Sequence, residues 1–330
     1  LFTLYALLLF YTDSFYKNPA AFKSILLGIV AGFIVLIRPT EIICIVIVIA
    51  WNISTKEDVK NRFLFFRQHF TKLLYFAIAA VFIGSIQLVY WKIYSGHWLF
   101  WSYGEDESFN FLKPHLLNWL ISYKKGWLTY TPVMILSLIG FWNLYKTNKQ
   151  LFIACFLFTI LNIYLCSAWN CWWYGGSFSQ RSVVQSYAIL AFPLTAFFQT
   201  AFSKRIILYV SSGFVVFCAW LNLLMTYQAY SDKGIMENEL MSKQYFWKIF
   251  GKTNIQKSDK KFIDLQDEMP SDLNKKMTLI YSNDFESDSS LVISQASSGK
   301  RSIVLNKEKQ VSNEIYISIL PTQKGYYRAV

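Results

Sequence analysis

Residues 169–181 read WNCWWYGGSFSQR and stand between two apolar runs, Leu151 to Ala168 and Val183 to Phe202. The runs have the length and composition of membrane helices, which makes the stretch between them a loop at a membrane surface. A soluble core rarely gathers three tryptophans, a tyrosine, a glycine pair and an arginine within thirteen residues. Aromatic rings settle at the bilayer boundary. They also stack on apolar ring faces, sugars included. Gly175 and Gly176 allow the backbone to turn back tightly. Arg181 adds a planar, permanently charged fork that suits a phosphate or carboxylate. A plain aromatic belt accounts for Trp169, Trp172 and Trp173, but it has no use for Gly175, Gly176, Ser177, Gln180 and Arg181 beside them. The loop therefore reads as a substrate- or carrier-binding element, with Trp172, Trp173, Tyr174, Gln180 and Arg181 as its contact residues.

The rest of the chain agrees. Its 330 residues are 54% hydrophobic, 19% aromatic and only 16% charged, a balance that belongs to polytopic membrane proteins. Eight apolar segments follow one another, at 1–12, 22–37, 42–51, 73–94, 130–145, 151–168, 183–202 and 206–226. The second ends at Arg38-Pro39-Thr40-Glu41, where two short helices meeting at a polar hinge are expected. Arg38 has two readings, a partner for Glu41 or a ligand for the phosphate of a lipid carrier. A net charge of +12 does not indicate nucleic acid, because Lys and Arg lie mostly in short inter-helix loops and in a nearly balanced tail. Cys44, Cys155, Cys166 and Cys218 fall in or beside apolar runs, Cys171 alone lies in the loop, and no spacing suggests a metal site or disulfide framework.

Loop charge sets the expected orientation. Residues 52–70, 146–149 and 203–205 carry eight Lys or Arg in 26 positions, whereas 95–128 and 169–182 carry four in 48. The first group is expected on the cytoplasmic side, and the two aromatic loops face outward with the tail. The fold class is an all-α polytopic membrane protein with a C-terminal extracytoplasmic, partly β domain. Residues 1–226 form the membrane domain, 227–276 a polar linker with a helical run from Glu237 to Phe250, and 277–330 the start of a β-sandwich-like domain. The β reading rests on TLIYS, SLVIS, RSIVLN and EIYISIL, short alternating pieces broken by turn residues. The chain opens inside an apolar run and stops in a strand-like one, so a C-terminal fragment of a longer protein is expected.

The first outward loop, SGHWLFWSYGEDESFNFLKPHLLNWLISYKKGW, collects acids, histidines, aromatics and the basic pair Lys124-Lys125. Glu105, Asp106, Glu107 and His97 are its candidate acid–base groups, and Lys124 and Lys125 its candidate phosphate ligands. The alternatives are a solvated acidic turn, interface tryptophans and a basic pair that only marks a helix boundary.

Three stretches carry a family resemblance: GIVAGFIVLIRPTE at 28–41, the loop with its flanks at 95–132, and WWYGGSFSQRSVVQSYAILAFPL at 172–194. Together they resemble the bacterial integral-membrane glycosyltransferases of the C superfamily, near the protein mannosyltransferase type. The resemblance covers about residues 1–226 and lies in overall pattern rather than one invariant signature. It implies transfer of a sugar from a polyprenyl-phosphate donor to a protein, lipid or glycan acceptor outside the bacterial cytoplasmic membrane. It also implies a key acid in a first outward loop, a position that falls upstream of Leu1. Arg38, Lys124, Lys125 and Arg181 would then neutralise phosphate charge, and a divalent metal requirement stays open. NDFES at 283–287 and SSGKRSIVLN at 297–306 are similar to the opening of carbohydrate-binding jelly rolls. Two other classes use the same features: a transporter or flippase of lipid-linked glycans, and a non-catalytic membrane scaffold that displays the tail.

Overall fold

Every one of the eight apolar segments is helical in the computed structural model, which describes residues 1–101 and 107–264. In chain order the helices are α1 (Phe2–Lys17), α2 (Ala21–Ile37), α3 (Cys44–Ala50), α4 (Lys56–Gln68), α5 (Phe70–Ser95), α6 (Leu116–Ile121) and α7 (Trp127–Tyr130). They continue with α8 (Met134–Thr147), α9 (Lys149–Ala168), α10 (Tyr187–Phe202), α11 (Arg205–Tyr230) and α12 (Lys243–Ile249). Tighter 3-10 turns occupy Pro39–Ile43, Arg181–Ser186 and Lys257–Phe262. Over the described residues the protein is an all-α membrane protein, and the β pairing among them is an isolated bridge between Phe109 and Trp169. The expected β domain, residues 277–330, lies outside the described residues, as do Glu105 and Asp106.

One expectation needs correction. Among the described residues four helices, not about eight, are long and apolar enough to cross a membrane: Phe70–Ser95, Lys149–Ala168, Arg181–Phe202 and Arg205–Tyr230. The others stop early for local reasons. Helix α1 ends before Asn18-Pro19, and α2 ends at Arg38, whose extended backbone (φ −148°, ψ 108°) is what a following proline favours. Asn148 closes α8 and caps α9 by accepting from the Leu151 amide.

Helix α2 packs along α5 through Ser24, Gly28 and Gly32, small residues four apart on one face. A side chain at Gly28 would strike the Phe76 carbonyl oxygen, and a Cβ at Gly32 would lie 2.8 Å from the Ile83 Cβ and 2.9 Å from the Ala80 oxygen. Ser24 donates to the Lys72 carbonyl at the same contact. Lipid gives helices no hydrophobic reason to associate, so close backbone approach supplies the attraction. Gly140 of α8 meets the Pro193 carbonyl of α10 in the same way. The main core gathers Tyr5, Leu8, Leu27, Ile34, Ile47 and Phe158 from α1, α2, α3 and α9. A second cluster joins Tyr130, Leu221 and Met225 to Ile235, Met236, Met241, Tyr245 and Phe246. Residues 231–264, within the stretch 227–276 expected as a polar, partly helical linker, thus anchor themselves on α7 and α11.

Gly28→Val and Gly32→Val are expected to push α2 off α5 and to cost about 2 kcal/mol each, at the scale of an overpacked contact. Gly84, on the same α5 with nothing within 4 Å of a built Cβ, is the control. Gly84→Ala should be neutral or stabilising by up to about 1 kcal/mol. Thermal unfolding of the detergent-solubilised variants measures the difference.

Candidate functional site

The site is built downward from a buried acid. Behind Pro39 the 3-10 turn carries Glu41 into the bundle, where it is 2% exposed. An acid at that depth requires partners, and three elements provide them. Tyr5 of α1 donates to Oε2 at 2.5 Å, Gln185 donates to Oε1 at 2.5 Å, and the Arg38 guanidinium lies 3.3 Å from Oε1. Arg38 and Gln185 also donate to the Ser182 carbonyl, at 3.2 and 2.5 Å. Ser186 donates to Asn162 of α9 at 3.2 Å, and the Cys166 thiol sits 3.7 Å from the Ser182 oxygen. The hinge, α1, α9 and the turn Arg181–Ser186 are therefore one polar cluster.

That cluster supports the aromatic loop. Tyr174, Gly175 and Ser179 adopt left-handed backbone, with φ of 55°, 66° and 51°. For Tyr174 and Ser179 this conformation is unfavourable in isolation, so the surroundings must hold it. Lys125, 1% exposed, does so by donating to the Gly175 carbonyl at 2.7 Å and to the Ser177 carbonyl. Tyr174 donates to the Cys166 carbonyl at 3.1 Å, and buried Gln180 donates to the Trp172 carbonyl at 3.1 Å. The first loop closes on the second through backbone bonds from Asn110 to Ala168 (2.7 Å), Asn170 to Ser108 (3.0 Å) and His115 to Ser167 (2.7 Å). The two aromatic loops thus make one surface.

The candidate residues divide accordingly. Trp172, Gln180 and Lys125 are buried in the foundation of the loop. Arg38 takes Glu41 as partner, the first of its two readings. Trp173 is half-buried with the Lys124 ammonium 4.1 Å above its ring, and Arg181 is exposed with no described side chain paired to it. Glu107 is half-buried beside Cys171, whose thiol is pushed up by burial and then by the Glu107 charge. His97 is exposed in the turn after α5.

Sequence reading missed Glu239. Its carboxylate lies over the glycine pair, 3.3 Å from a Cβ built on Gly176 and 3.7 Å from one on Gly175, within electrostatic reach of Lys125. No spacing connects it to a loop some sixty positions earlier; only the packing of residues 231–264 brings it there. Glu41, Tyr5 and Gln185 were also missed as a unit, although an acid just after an Arg-Pro break in apolar sequence was a visible signal. Among the described residues no three His, Cys, Asp or Glu side chains gather to hold a metal ion. Comparison with family models, curated proteins and solved structures finds no match to the chain.

Burial lowers Lys125 to about 8, the charges of Arg181 and Lys124 add to this, and Glu239 opposes it. In the unfolded chain the same amine keeps its proton to about 10.4. Between these values the unfolded state binds more protons, so folding stability should rise with pH across that window. A neutral amine still offers two donors to the two carbonyls. Thermal unfolding between pH 7 and 10, where about three units bracket the change, should show this rise in the wild type and not in Lys125→Met. The variant should also be less stable at every pH, by about 2 kcal/mol for two stranded carbonyls.

Proposed function

We propose that this protein is a membrane glycosyltransferase that moves a sugar from a polyprenyl-phosphate carrier to a protein, lipid or glycan acceptor on the outer side of a bacterial cytoplasmic membrane. The observation that carries the reading is exposed Arg181 at the edge of a rigid aromatic loop, with the Glu239 carboxylate across the Gly175-Gly176 pair. Trp173 offers a ring face for a sugar, and Arg181 a fork for the two free oxygens of a phosphodiester. The resemblance of residues 28–41, 95–132 and 172–194 to the C superfamily of membrane glycosyltransferases supports the same class.

In the reaction, an acceptor hydroxyl oxygen attacks the anomeric carbon as the bond from that carbon to the phosphate oxygen breaks. The polyprenyl phosphate leaves with the bonding electron pair, and a carboxylate takes the hydroxyl proton. Arg181 is assigned to the leaving phosphate, where charge builds in the transition state. Among the described residues Glu107 and Glu239 are carboxylates that border the loop, and Glu239 is the one set over its glycine turn. Positioning and charge stabilisation carry the rate.

Membranes containing the protein and labelled polyprenyl-phosphate sugars provide the test. Arg181→Ala should lower transfer about 100-fold at unchanged protein level, the scale set by losing one anion-stabilising donor. Glu239→Gln should lower the rate while Arg181 variants still bind acceptor normally. Unchanged transfer in Arg181→Ala would overturn the role of the loop. Protein-dependent movement of the lipid-linked sugar across vesicles, with no transfer from any donor, would replace the enzyme with a flippase.

A further inference from the structure

Helix α4, 13 residues long, is not one of the candidate membrane-crossing helices, and its surface has two unlike faces. Its inward face is tied down. The Arg62 guanidinium lies 3.7 Å over the Tyr16 ring and donates to the Trp51 carbonyl, while Phe65 meets Phe15 at 6.0 Å. Its start is fixed by a reciprocal cap between Thr55 and Asp58. Three bonds from Ser54 and Thr55 hold the Asp58 carboxyl down at about 2, so that charge is committed to the cap.

The outward face is largely exposed, with Phe66 at its edge 6.0 Å from the Arg62 guanidinium. At 3.6 residues per turn, Val59, Phe63 and Phe66 fall within an arc of about 60°, and Phe70 follows at the start of α5. Val59, Phe63 and Phe70 are 55%, 71% and 67% exposed. Lys56, Lys60 and Arg67 line one border of this stripe, all exposed, and Glu57 and Gln68 lie on the side away from it. At His69 the chain breaks and enters α5, the longest apolar helix beside α11 and one with only 6% of its apolar window buried.

We propose that α4 is an interfacial helix that docks on an anionic lipid surface, its phenylalanine stripe among the acyl chains and Lys56, Lys60 and Arg67 on the phosphates. Two features select this occupant. The stripe is continuous with a helix that faces lipid, and its border is cationic, the complement of acidic headgroups rather than of this strongly basic protein's own surface. The inference is independent of the glycosyltransferase reading.

The test uses the protein in nanodiscs with a bimane label at Phe63→Cys or Gln68→Cys, in a Cys171→Ser background, since the other four cysteines are buried. At position 63, brominated acyl chains should quench the label several-fold better than aqueous iodide, and at position 68 the order should reverse. Adding phosphatidylglycerol to phosphatidylcholine should deepen the label at 63, and the combined Lys56→Gln, Lys60→Gln and Arg67→Gln variant should lose that response. Equal iodide quenching at both positions would overturn the proposal in favour of a solvated helix. Protection of position 63 from both quenchers would overturn it in favour of a protein partner. A label at 63 that ignores phosphatidylglycerol would remove the anionic headgroup from the inference.

Discussion

A carboxyl group held inside an apolar bundle costs several kcal/mol unless its oxygens are met by well-placed donors. Glu41 obtains them from α1, from the arginine before its own proline and from the turn that follows the aromatic loop. These donors belong to segments far apart in the chain, so meeting the acid fixes where each segment lies. Arg38 is the pivot, because the guanidinium that faces Glu41 also holds the Ser182 carbonyl. The loop above is thereby set on the bundle by polar bonds, while Lys125 fixes its left-handed turn from the other side.

Elsewhere the helices are joined mainly by shape. Where α2 meets α5 and α8 meets α10, glycines bring carbonyl oxygens against the facing backbone, and dispersion plus weak polar contact replaces the burial from water that organises soluble cores. The consequence is a division of labour. Close-packed glycine crossings assemble the bundle, and the polar cluster around Glu41 selects one arrangement of its loop-bearing end.

Much of the helical framework was legible because composition is a strong signal in a membrane chain. Each apolar run is a helix, and Pro39 separates two of them for reasons visible in the dipeptide Arg38-Pro39. Span length was less legible, because hydropathy marks where apolar residues lie and not whether the helix they form is long enough. The site was legible only at its surface. Arg181 and Trp173 stand out by type, and so do Lys125 and Gln180, whose burial and bonds to loop carbonyls the sequence did not announce. Nothing local distinguishes a lysine that meets a phosphate from one that meets two carbonyls. Glu239 lay beyond reach for the opposite reason, since its place depends on the hydrophobic anchoring of Ile235, Met236 and Met241.

The inequality of helix lengths has its own physical outcome. Helices α5 and α11, each 26 residues, measure about 39 Å, whereas α9, with 20, measures about 30 Å, the thickness of an apolar bilayer core. A bilayer that matches α9 leaves about 9 Å of each longer helix to accommodate. The longer helices take up that excess by tilting, by kinking or by thickening the bilayer beside them, the usual responses to hydrophobic mismatch. Membrane thickness thereby becomes a quantity to which the tilt of the bundle's long helices responds.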